Sequence, residues 1–313
     1  MSIALIFPGQ GSQAVGMGAE LAKTYAAARA VFDEVDAALA QNLSKVMWEG
    51  PEAELILTEN AQPALMAVSL AAMRVLQEKG LKLPGKIAYV AGHSLGEYSA
   101  LAATGALSLA DAARLLKTRG RAMQAAVPVG EGAMAALLGA DLAQAQALAK
   151  AAADGEVCEA ANDNAPGQVV ISGSKSAIER AIALAPKYGA RRAVLLPVSA
   201  PFHCALMQPA AEVMREALAT VKMAQPAVPL IANVLAQPLS DPEVIRAKLV
   251  EQVTGMVRWR ETMLYLKSNG VSTVYEVGAG RVLTGIARRF EGLEARSVGT
   301  PEEVEAAAAA LAA

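Results

Sequence analysis

The stretch IAYVAGHSLGEYSALAA, residues 87–103, joins a short apolar run, a glycine-rich turn and a second apolar segment. Ile87 to Ala91 predicts a buried strand, and Glu97 to Ala103 predicts a helix. Between them, Gly92-His93-Ser94-Leu95-Gly96 fits G-x-S-x-G, the nucleophile elbow that turns sharply from strand to helix and exposes its serine at the end of a sheet. This context predicts that Ser94 is a nucleophile; the alternative is a glycine-rich turn capped by a serine.

Short apolar strands alternate with helical patterns along most of the chain. Ile3 to Phe7, Val228 to Ala232 and Thr273 to Val277 predict further strands. Strands that are separated by helices in this way are typical of a mostly parallel sheet covered on both faces. We therefore predict an α/β fold.

Three of the helical patterns have distinct properties. One runs from Gly18 to about Ala40. Another, from Ala64 to Gln77, is nearly all apolar and should be buried on most sides, after a break near Asn60 to Pro63. The third is the alanine-rich tail from Glu302 to Ala313, which predicts a surface helix.

The segment 128–198 has its own order of elements. Its patterns predict, in turn, a strand at 133–139, a helix at 142–152, strands at 157–161 and 169–172, a helix at 175–188 and a strand at 191–197. This β-α-β-β-α-β order is the split βαβ of ferredoxin-like modules. We predict a small domain over residues 128–198, inserted into a large domain formed by residues 1–127 and 199–313.

Composition and charge limit the classes of protein. The 313 residues are 54% hydrophobic, enough for a sizeable core. Charges of both signs are interspersed and the net charge is −2, so we expect no binding to nucleic acid. No window approaches the roughly 18 uninterrupted apolar residues of a membrane span. The first residues lack the basic start and long apolar run of a signal peptide, so no membrane association is expected.

Cysteine and histidine are both scarce. Cys158 and Cys204 are too few for a disulfide framework, and unpaired thiols are typical of the reducing cytoplasm, where we place the protein. Two cysteines and two histidines also leave too few ligands for a typical zinc cluster. We therefore expect no metal site.

A serine hydroxyl needs a base to act as a nucleophile. His93 directly precedes Ser94, so its side chain should leave the strand end on the other side. By elimination, the candidate base is His203, which ends the proline-rich turn 197–203. No aspartate or glutamate stands out as the third member of a triad, and a backbone carbonyl is an alternative partner for the imidazole.

Arg119 has an unusual place in its helix. It falls on the apolar face of the segment from Leu109 to about Ala126. A guanidinium turned inward needs a carboxylate partner. One alternative is an internal salt bridge, for example to Glu97. The other is a clamp for a substrate carboxylate, which the planar fork of arginine contacts through two hydrogen bonds.

The loop 8–14, Pro-Gly-Gln-Gly-Ser-Gln-Ala, has two interpretations. As G-x-G-x-x-A after a strand, it resembles a dinucleotide-binding loop. That site needs an acidic residue at a strand end about 20 positions further on, and Asp33, Glu34 and Asp36 lie in a helical pattern instead. We favour a tight loop beside the elbow. In it, the backbone N–H groups of Gln10 and Leu95 form an oxyanion hole.

Several motifs in this order resemble the malonyl-CoA:acyl carrier protein transacylases, within the acyltransferase family of fatty acid and polyketide synthesis. The resemblance covers essentially the whole chain. The segments that carry it are Phe7–Gln13, Ala61–Ala64, Gly92–Glu97, Arg119, Pro201–His203 and Tyr275–Gly278.

The resemblance implies an α/β-hydrolase-like large domain with a mostly parallel sheet and an inserted ferredoxin-like domain. It implies that Ser94 is the acylated nucleophile, that His203 is the base and that Arg119 binds the malonyl carboxylate. It also implies the oxyanion hole of Gln10 and Leu95.

Three further residues acquire roles only through the resemblance. The backbone carbonyl of Gln252 would orient His203, which explains the missing acid. Asn162 corresponds to a residue that lines the cleft. Phe202 stands where malonyl-selective relatives have a bulky ring, which would crowd an α-methyl group.

The implied reaction is transfer of a malonyl group from malonyl-CoA to the phosphopantetheine thiol of holo acyl carrier protein, for fatty acid synthesis. It needs no metal or redox cofactor, and a compact catalytic unit of this kind is expected to be a monomer. Two rival functions are a serine esterase or thioesterase and a docking subunit for a carrier protein with a decayed site. The inward Arg119 argues against the first, and the intact set of Ser94, His203 and Arg119 argues against the second.

Overall fold

The computed structural model of the chain describes residues 2–312. The strands are β1 (Ser2–Phe7), β2 (Ile87–Gly92), β3 (Gly132–Leu138), β4 (Cys158–Ala165), β5 (Gln168–Ser174), β6 (Arg192–Leu195), β7 (Leu230–Ile231), β8 (Pro238–Leu239), β9 (Val271–Val277) and β10 (Glu294–Val298). The α-helices are α1 (Ala19–Thr24), α2 (Ala26–Leu39), α3 (Leu43–Glu49), α4 (Glu52–Leu55), α5 (Thr58–Glu78), α6 (Gly96–Ala103), α7 (Leu109–Ala126), α8 (Leu142–Ala153), α9 (Lys175–Leu184), α10 (Gln208–Ala219), α11 (Pro242–Thr254), α12 (Trp259–Ser268), α13 (Val282–Ala287) and α14 (Pro301–Ala312). Short 3₁₀ helices occupy Ala185–Tyr188 and Ala205–Met207.

Six strands form the larger sheet, in the order β10-β9-β1-β2-β7-β8. Neighbouring strands are parallel except for β7 and β8. Side chains of a strand alternate between its faces. In β1, Leu5 and Phe7 accordingly pack into one apolar cluster and Ala4 and Ile6 into another. The predicted α/β fold with a mostly parallel sheet is confirmed.

Four strands form a smaller sheet, in the order β4-β5-β3-β6, and all of its pairs are antiparallel. Along the chain its elements follow one another as β3, α8, β4, β5, α9 and β6. Buried apolar residues of these elements, among them Leu137, Leu148 and Ile178, form a cluster of their own. No helix among residues 2–312 is long and apolar enough to cross a membrane.

The predicted helix break near Asn60 to Pro63 is wrong, because α5 continues through Pro63. A proline inside a helix costs about 3 kcal/mol. Full burial of one large apolar side chain contributes roughly 1.5–3 kcal/mol. Since α5 buries Leu65, Met66 and Val68 together with most of its other residues, burial outweighs the cost of the proline.

Two other helix predictions need correction. The single helix expected from Gly18 to Ala40 is divided at Tyr25, whose backbone is extended and whose hydroxyl donates a hydrogen bond to Glu305 of α14. The tail is more than a surface helix, because α14 buries Val304 in the main apolar cluster. Ala313, the predicted end of this helix, lies outside the described residues.

Candidate active site

The elbow connects β2 to α6 at the carboxyl end of the larger sheet. Ser94 has φ 52°, a left-handed conformation that is strained for a residue with a side chain. A Cβ on Gly92 would lie 1.9 Å from the backbone of Gly96, and one on Gly96 would lie 2.3 Å from the carbonyl oxygen of Phe7. The turn is therefore so tight that neither flanking position admits a side chain, as the G-x-S-x-G pattern indicates.

Ser94 and His203 are in direct contact although 109 residues separate them. The serine Oγ lies 2.7 Å from Nε2 of the imidazole. On the other side of the ring, Nδ1 lies 2.9 Å from the carbonyl oxygen of Gln252 and 3.1 Å from that of Gly255. Carbonyl oxygens only accept hydrogen bonds, so Nδ1 carries the proton and Nε2 can accept the proton of Ser94.

The surroundings of His203 keep its imidazole neutral. Burial, followed by the nearby charge of Arg119, lowers the pKa of His203 to about 3, against the opposing effect of the two carbonyls. A neutral imidazole is the form that acts as a base. The ring is therefore ready to accept a proton throughout the neutral range.

This low pKa predicts the pH dependence of the nucleophile. Labelling of Ser94 by a fluorophosphonate is expected to keep the same rate from pH 7 down to pH 5. A histidine with the ordinary pKa of about 6.5 would lose most of its base form across that window. Because the folded pKa is lowered, the base form of His203 is lost only as the pH approaches 3. Labelling is followed by intact-protein mass spectrometry.

Three other ionisable groups lie in or beneath the site. Arg119 stays cationic, burial lowers the pKa of His93, and burial raises the pKa of Glu97 to about 8. A fall in the labelling rate centred near pH 6.5 would contradict the neutral state assigned to His203.

The guanidinium of Arg119 lies beside the nucleophile and is 1% exposed. Nη2 donates to Ser94 Oγ at 3.1 Å and to Oε1 of Gln252 at 2.8 Å, and Nη1 donates to Oε1 of Gln62 at 2.8 Å. All three acceptors are neutral. The salt bridge to Glu97 considered from the sequence is not formed among the described residues. Arg119 thus keeps a buried positive charge at the site with no carboxylate in contact.

Gln10 and Leu95, whose backbone N–H groups are the expected oxyanion hole, lie in the same part of the molecule. Both residues line a cavity of about 380 Å³ that also exposes Ser94 and His203. Within residues 2–312, no protein acceptor takes up either N–H. Two free donors beside a nucleophile are what an oxyanion hole requires.

Asn162 and Phe202 also line this cavity, as the resemblance implies. His93 contributes to the wall as well, but its Nε2 donates to Oδ1 of Asn164 at 2.9 Å and its ring packs against Trp259. The imidazole next to the nucleophile in sequence is therefore committed to another partner.

Side-chain contacts that the sequence patterns did not predict surround Ser94, and they come from Asn233, Gln62 and Gln252. Asn233 accepts the N–H of Ser94 at 2.8 Å through Oδ1 and donates to the carbonyl of Gly92 at 2.7 Å. Gln62 holds Arg119, as described above. The side chain of Gln252 contacts both Arg119 and the carbonyl of Ser94.

Little in the sequence pointed to these contacts. One available signal was Gln62, which lies in the Ala61–Ala64 segment that carries the family resemblance. As for metals, no group of three or more histidine, cysteine, aspartate or glutamate side chains in residues 2–312 has a geometry that could hold an ion.

Comparisons with known proteins agree with this geometry. The family model described as acyl transferase domain matches residues 4–302. The malonyl CoA-acyl carrier protein transacylase of Escherichia coli (strain K12) is 46% identical over 305 residues, which cover 97% of this chain and 98% of that protein.

Solved structures are equally similar. An acyl-carrier-protein-S-malonyltransferase from Bartonella henselae matches with a TM-score of 0.98 and 57% identity over 100% of both chains. A malonyl-transacylase in complex with its type II PKS acyl-carrier protein matches with a TM-score of 0.95 and 42% identity, over 99% of this chain and 100% of that one. The chain belongs to the malonyl CoA-acyl carrier protein transacylase family of acyl transferase domain proteins.

Proposed function

We propose that the protein transfers a malonyl group from malonyl-CoA to the phosphopantetheine thiol of holo acyl carrier protein, through a malonyl ester of Ser94, and so supplies extender units for fatty acid synthesis. The observation that carries this proposal is the buried guanidinium of Arg119. It lies within hydrogen-bond distance of the nucleophile and has no carboxylate of its own. A substrate carboxylate would supply the missing charge.

In the first half of the reaction, Ser94 Oγ attacks the thioester carbonyl while Nε2 of His203 takes its proton. Negative charge on the carbonyl oxygen is stabilised by the N–H groups of Gln10 and Leu95, a contribution of roughly 3–4 kcal/mol per donor. The tetrahedral intermediate then collapses. The C–S bond breaks, and the sulfur of coenzyme A leaves with the proton from His203.

In the second half, the phosphopantetheine thiol takes the place of coenzyme A. His203 accepts the thiol proton, and the thiolate attacks the ester carbonyl. The C–O bond to Ser94 breaks, and the serine oxygen recovers the proton from His203. Because these two side chains carry every proton and acyl transfer, the proposed reaction calls for no metal or redox cofactor.

Selectivity in this proposal depends on the cavity. Arg119 favours acyl groups that carry a free carboxylate, and it also holds the ester so that a thiol fits better than water. The ring of Phe202 lies in the wall and would crowd an α-methyl group, and Asn162 positions the acyl group from the side of β4. All of these residues line one cavity.

We propose the following organisation of the chain. Residues 1–127 and 199–313 form an α/β-hydrolase-like catalytic domain, and residues 128–198 form a ferredoxin-like insert. The separate antiparallel sheet and separate apolar cluster of the insert support this division. A monomer in the cytoplasm is supported by a site built from one chain and by the two buried free cysteines.

The test uses malonyl-CoA that carries an isotopic label in its malonyl group and measures which molecule carries the label afterwards. Without carrier protein, the label is expected on the enzyme as one ester; with holo carrier protein, it should move to the carrier thiol. Apo carrier protein, which lacks the thiol, is the control and should stay unlabelled. Release of the label as free malonic acid would indicate a thioesterase, and absence of any label on protein would indicate a docking subunit.

A further inference from the structure

Glu97 lies directly beneath the site and has no part in the proposed reaction. The residue is 2% exposed and does not line the cavity. One oxygen accepts the backbone N–H of Asn233 at 3.0 Å, and the other accepts Nε2 of Gln252. A buried acid that contacts neither substrate nor nucleophile calls for an explanation, because burial of such a group is costly.

The contact between Glu97 and the side chain of Gln252 sets the orientation of the Gln252 amide. Nε2 of this amide donates to Glu97 and, at 2.8 Å, to the carbonyl of Ser94. Oε1 points the opposite way and accepts Nη2 of Arg119 at 2.8 Å. The amide thus has acceptors on one side and a donor on the other, so it fits in only one orientation.

The contact between Glu97 and the backbone of Asn233 holds the elbow in place. The backbone N–H of Asn233 donates a hydrogen bond to the carboxyl group of Glu97. The side chain of Asn233 accepts the N–H of Ser94 and donates to the carbonyl of Gly92. Glu97 is therefore connected by hydrogen bonds, through Asn233, to the backbone of Ser94. Through Gln252 it is connected in the same way to the guanidinium of Arg119.

We propose that Glu97 is a positioning residue that aligns Ser94 through Asn233 and Arg119 through Gln252, and that the Gln252 side chain keeps this acid out of contact with the guanidinium. The neutral amide holds Arg119 in place without neutralising it. The positive charge therefore remains for the carboxylate of the substrate. The identity of that carboxylate as malonyl rests on the proposed function.

Glu97→Gln tests the first part of this inference. An amide at this position has one acceptor oxygen and one N–H₂ group, so it cannot accept from both Asn233 and Gln252. Gln252 relieves the conflict by turning its amide, which places N–H against the N–H of Arg119. The hydrogen bond from the charged Arg119 to Gln252 is then lost. Malonate, titrated calorimetrically into the enzyme at pH 9, where the carboxyl group of Glu97 with its pKa of about 8 is ionised, is therefore expected to bind roughly 10- to 100-fold more weakly.

Gln252→Glu tests the second part. The introduced carboxylate contacts Arg119 directly and competes with the substrate for the guanidinium. We expect weaker malonate binding and a raised KM for malonyl-CoA, each by about tenfold or more, with a smaller change for acetyl-CoA, which carries no free carboxylate. The double variant Glu97→Gln, Gln252→Glu restores a donor and an acceptor between the two positions. It should recover thermal stability but not malonate affinity.

Glu276→Gln is the matched control. Glu276 is also a fully buried glutamate that accepts two backbone N–H groups, those of Leu283 and Thr284, but it lies in β9 outside the cavity. This variant should lose stability and keep the malonyl-to-acetyl preference of the unaltered protein. If Glu97→Gln keeps that preference and its malonate affinity as the control does, Glu97 is merely structural and the inference is overturned.

The readouts separate this inference from the proposed function. If the unaltered enzyme binds malonate but moves no malonyl group to the carrier protein, the proposed function fails while the effect of Glu97→Gln on malonate affinity still decides the inference. If the double variant regains malonate affinity, the idea that Gln252 separates the acid from the guanidinium is overturned.

Discussion

Ser94→Ala is expected to abolish the covalent malonyl-enzyme and to slow transfer to the carrier protein by roughly 10⁴- to 10⁶-fold. In the proposed mechanism the hydroxyl oxygen bonds the acyl group, and this oxygen contacts both His203 Nε2 and Arg119 Nη2. Intact-protein mass spectrometry after incubation with malonyl-CoA measures the adduct. The proposed oxyanion hole remains in this variant, so residual activity above the uncatalysed rate is compatible with the mechanism.

The matched control is Ser99→Ala, five residues after Ser94 and within α6. Ser99 is fully buried, and its Oγ has no hydrogen-bond partner among the described residues, so loss of that hydroxyl should leave acylation unchanged. A malonyl adduct that persists in Ser94→Ala would show that another group is acylated, and the proposed mechanism would be wrong.

Arg119→Ala is expected to lower kcat/KM for malonyl-CoA by roughly 10²- to 10⁴-fold, the effect of leaving one partner of a buried ion pair alone. The carboxylate of the substrate would then enter a cavity that offers it no opposite charge. Acetyl-CoA has no such group, so its transfer should be kept or gained. The ratio of kcat/KM for the two thioesters is the measurement, because a general loss of folding would lower both.

Arg121→Ala provides the comparison on the same helix. The Arg121 side chain is 66% exposed and pairs with Glu59, and exposed pairs of this kind contribute little. The Arg121→Ala variant should therefore keep the ratio of kcat/KM for the two thioesters that the unaltered protein has. Arg119→Lys keeps the charge but loses the planar fork, and an intermediate loss is expected. An Arg119→Ala enzyme that still prefers malonyl-CoA to acetyl-CoA would show that Arg119 does not bind the malonyl carboxylate.

The elbow was predictable because its chemistry is local. Ser94 sits in a turn in which a side chain on Gly92 would clash with backbone atoms four and five residues away, although the glycine at position 96 is required by the approach of Phe7. His203 was predictable for another reason, since the chain has only two histidines and the geometry of the elbow sends His93 elsewhere. The inward direction of Arg119 followed from the 3.6-residue period of its helix.

The polar network under the site was not predictable. Asn233 and Gln252 are 139 and 158 residues from the serine backbone that they contact, and neither lies in a pattern that distinguishes it from a surface amide. The continuation of α5 through Pro63 was missed for a related reason. Local propensity favours a break there, whereas burial against neighbouring elements favours the helix.

The sequence by itself determined the α/β fold, the pairing of Ser94 with His203 and the burial of Arg119, because a tight turn, a scarce residue type and a helical period are all properties of the chain itself. Only the tertiary structure decided that Arg119 meets two glutamines instead of Glu97. Hydrogen-bond partners are selected by distances of about 3 Å between side chains of separate helices. Those distances arise only when α5, α7 and α11 pack together, and they leave the guanidinium its charge.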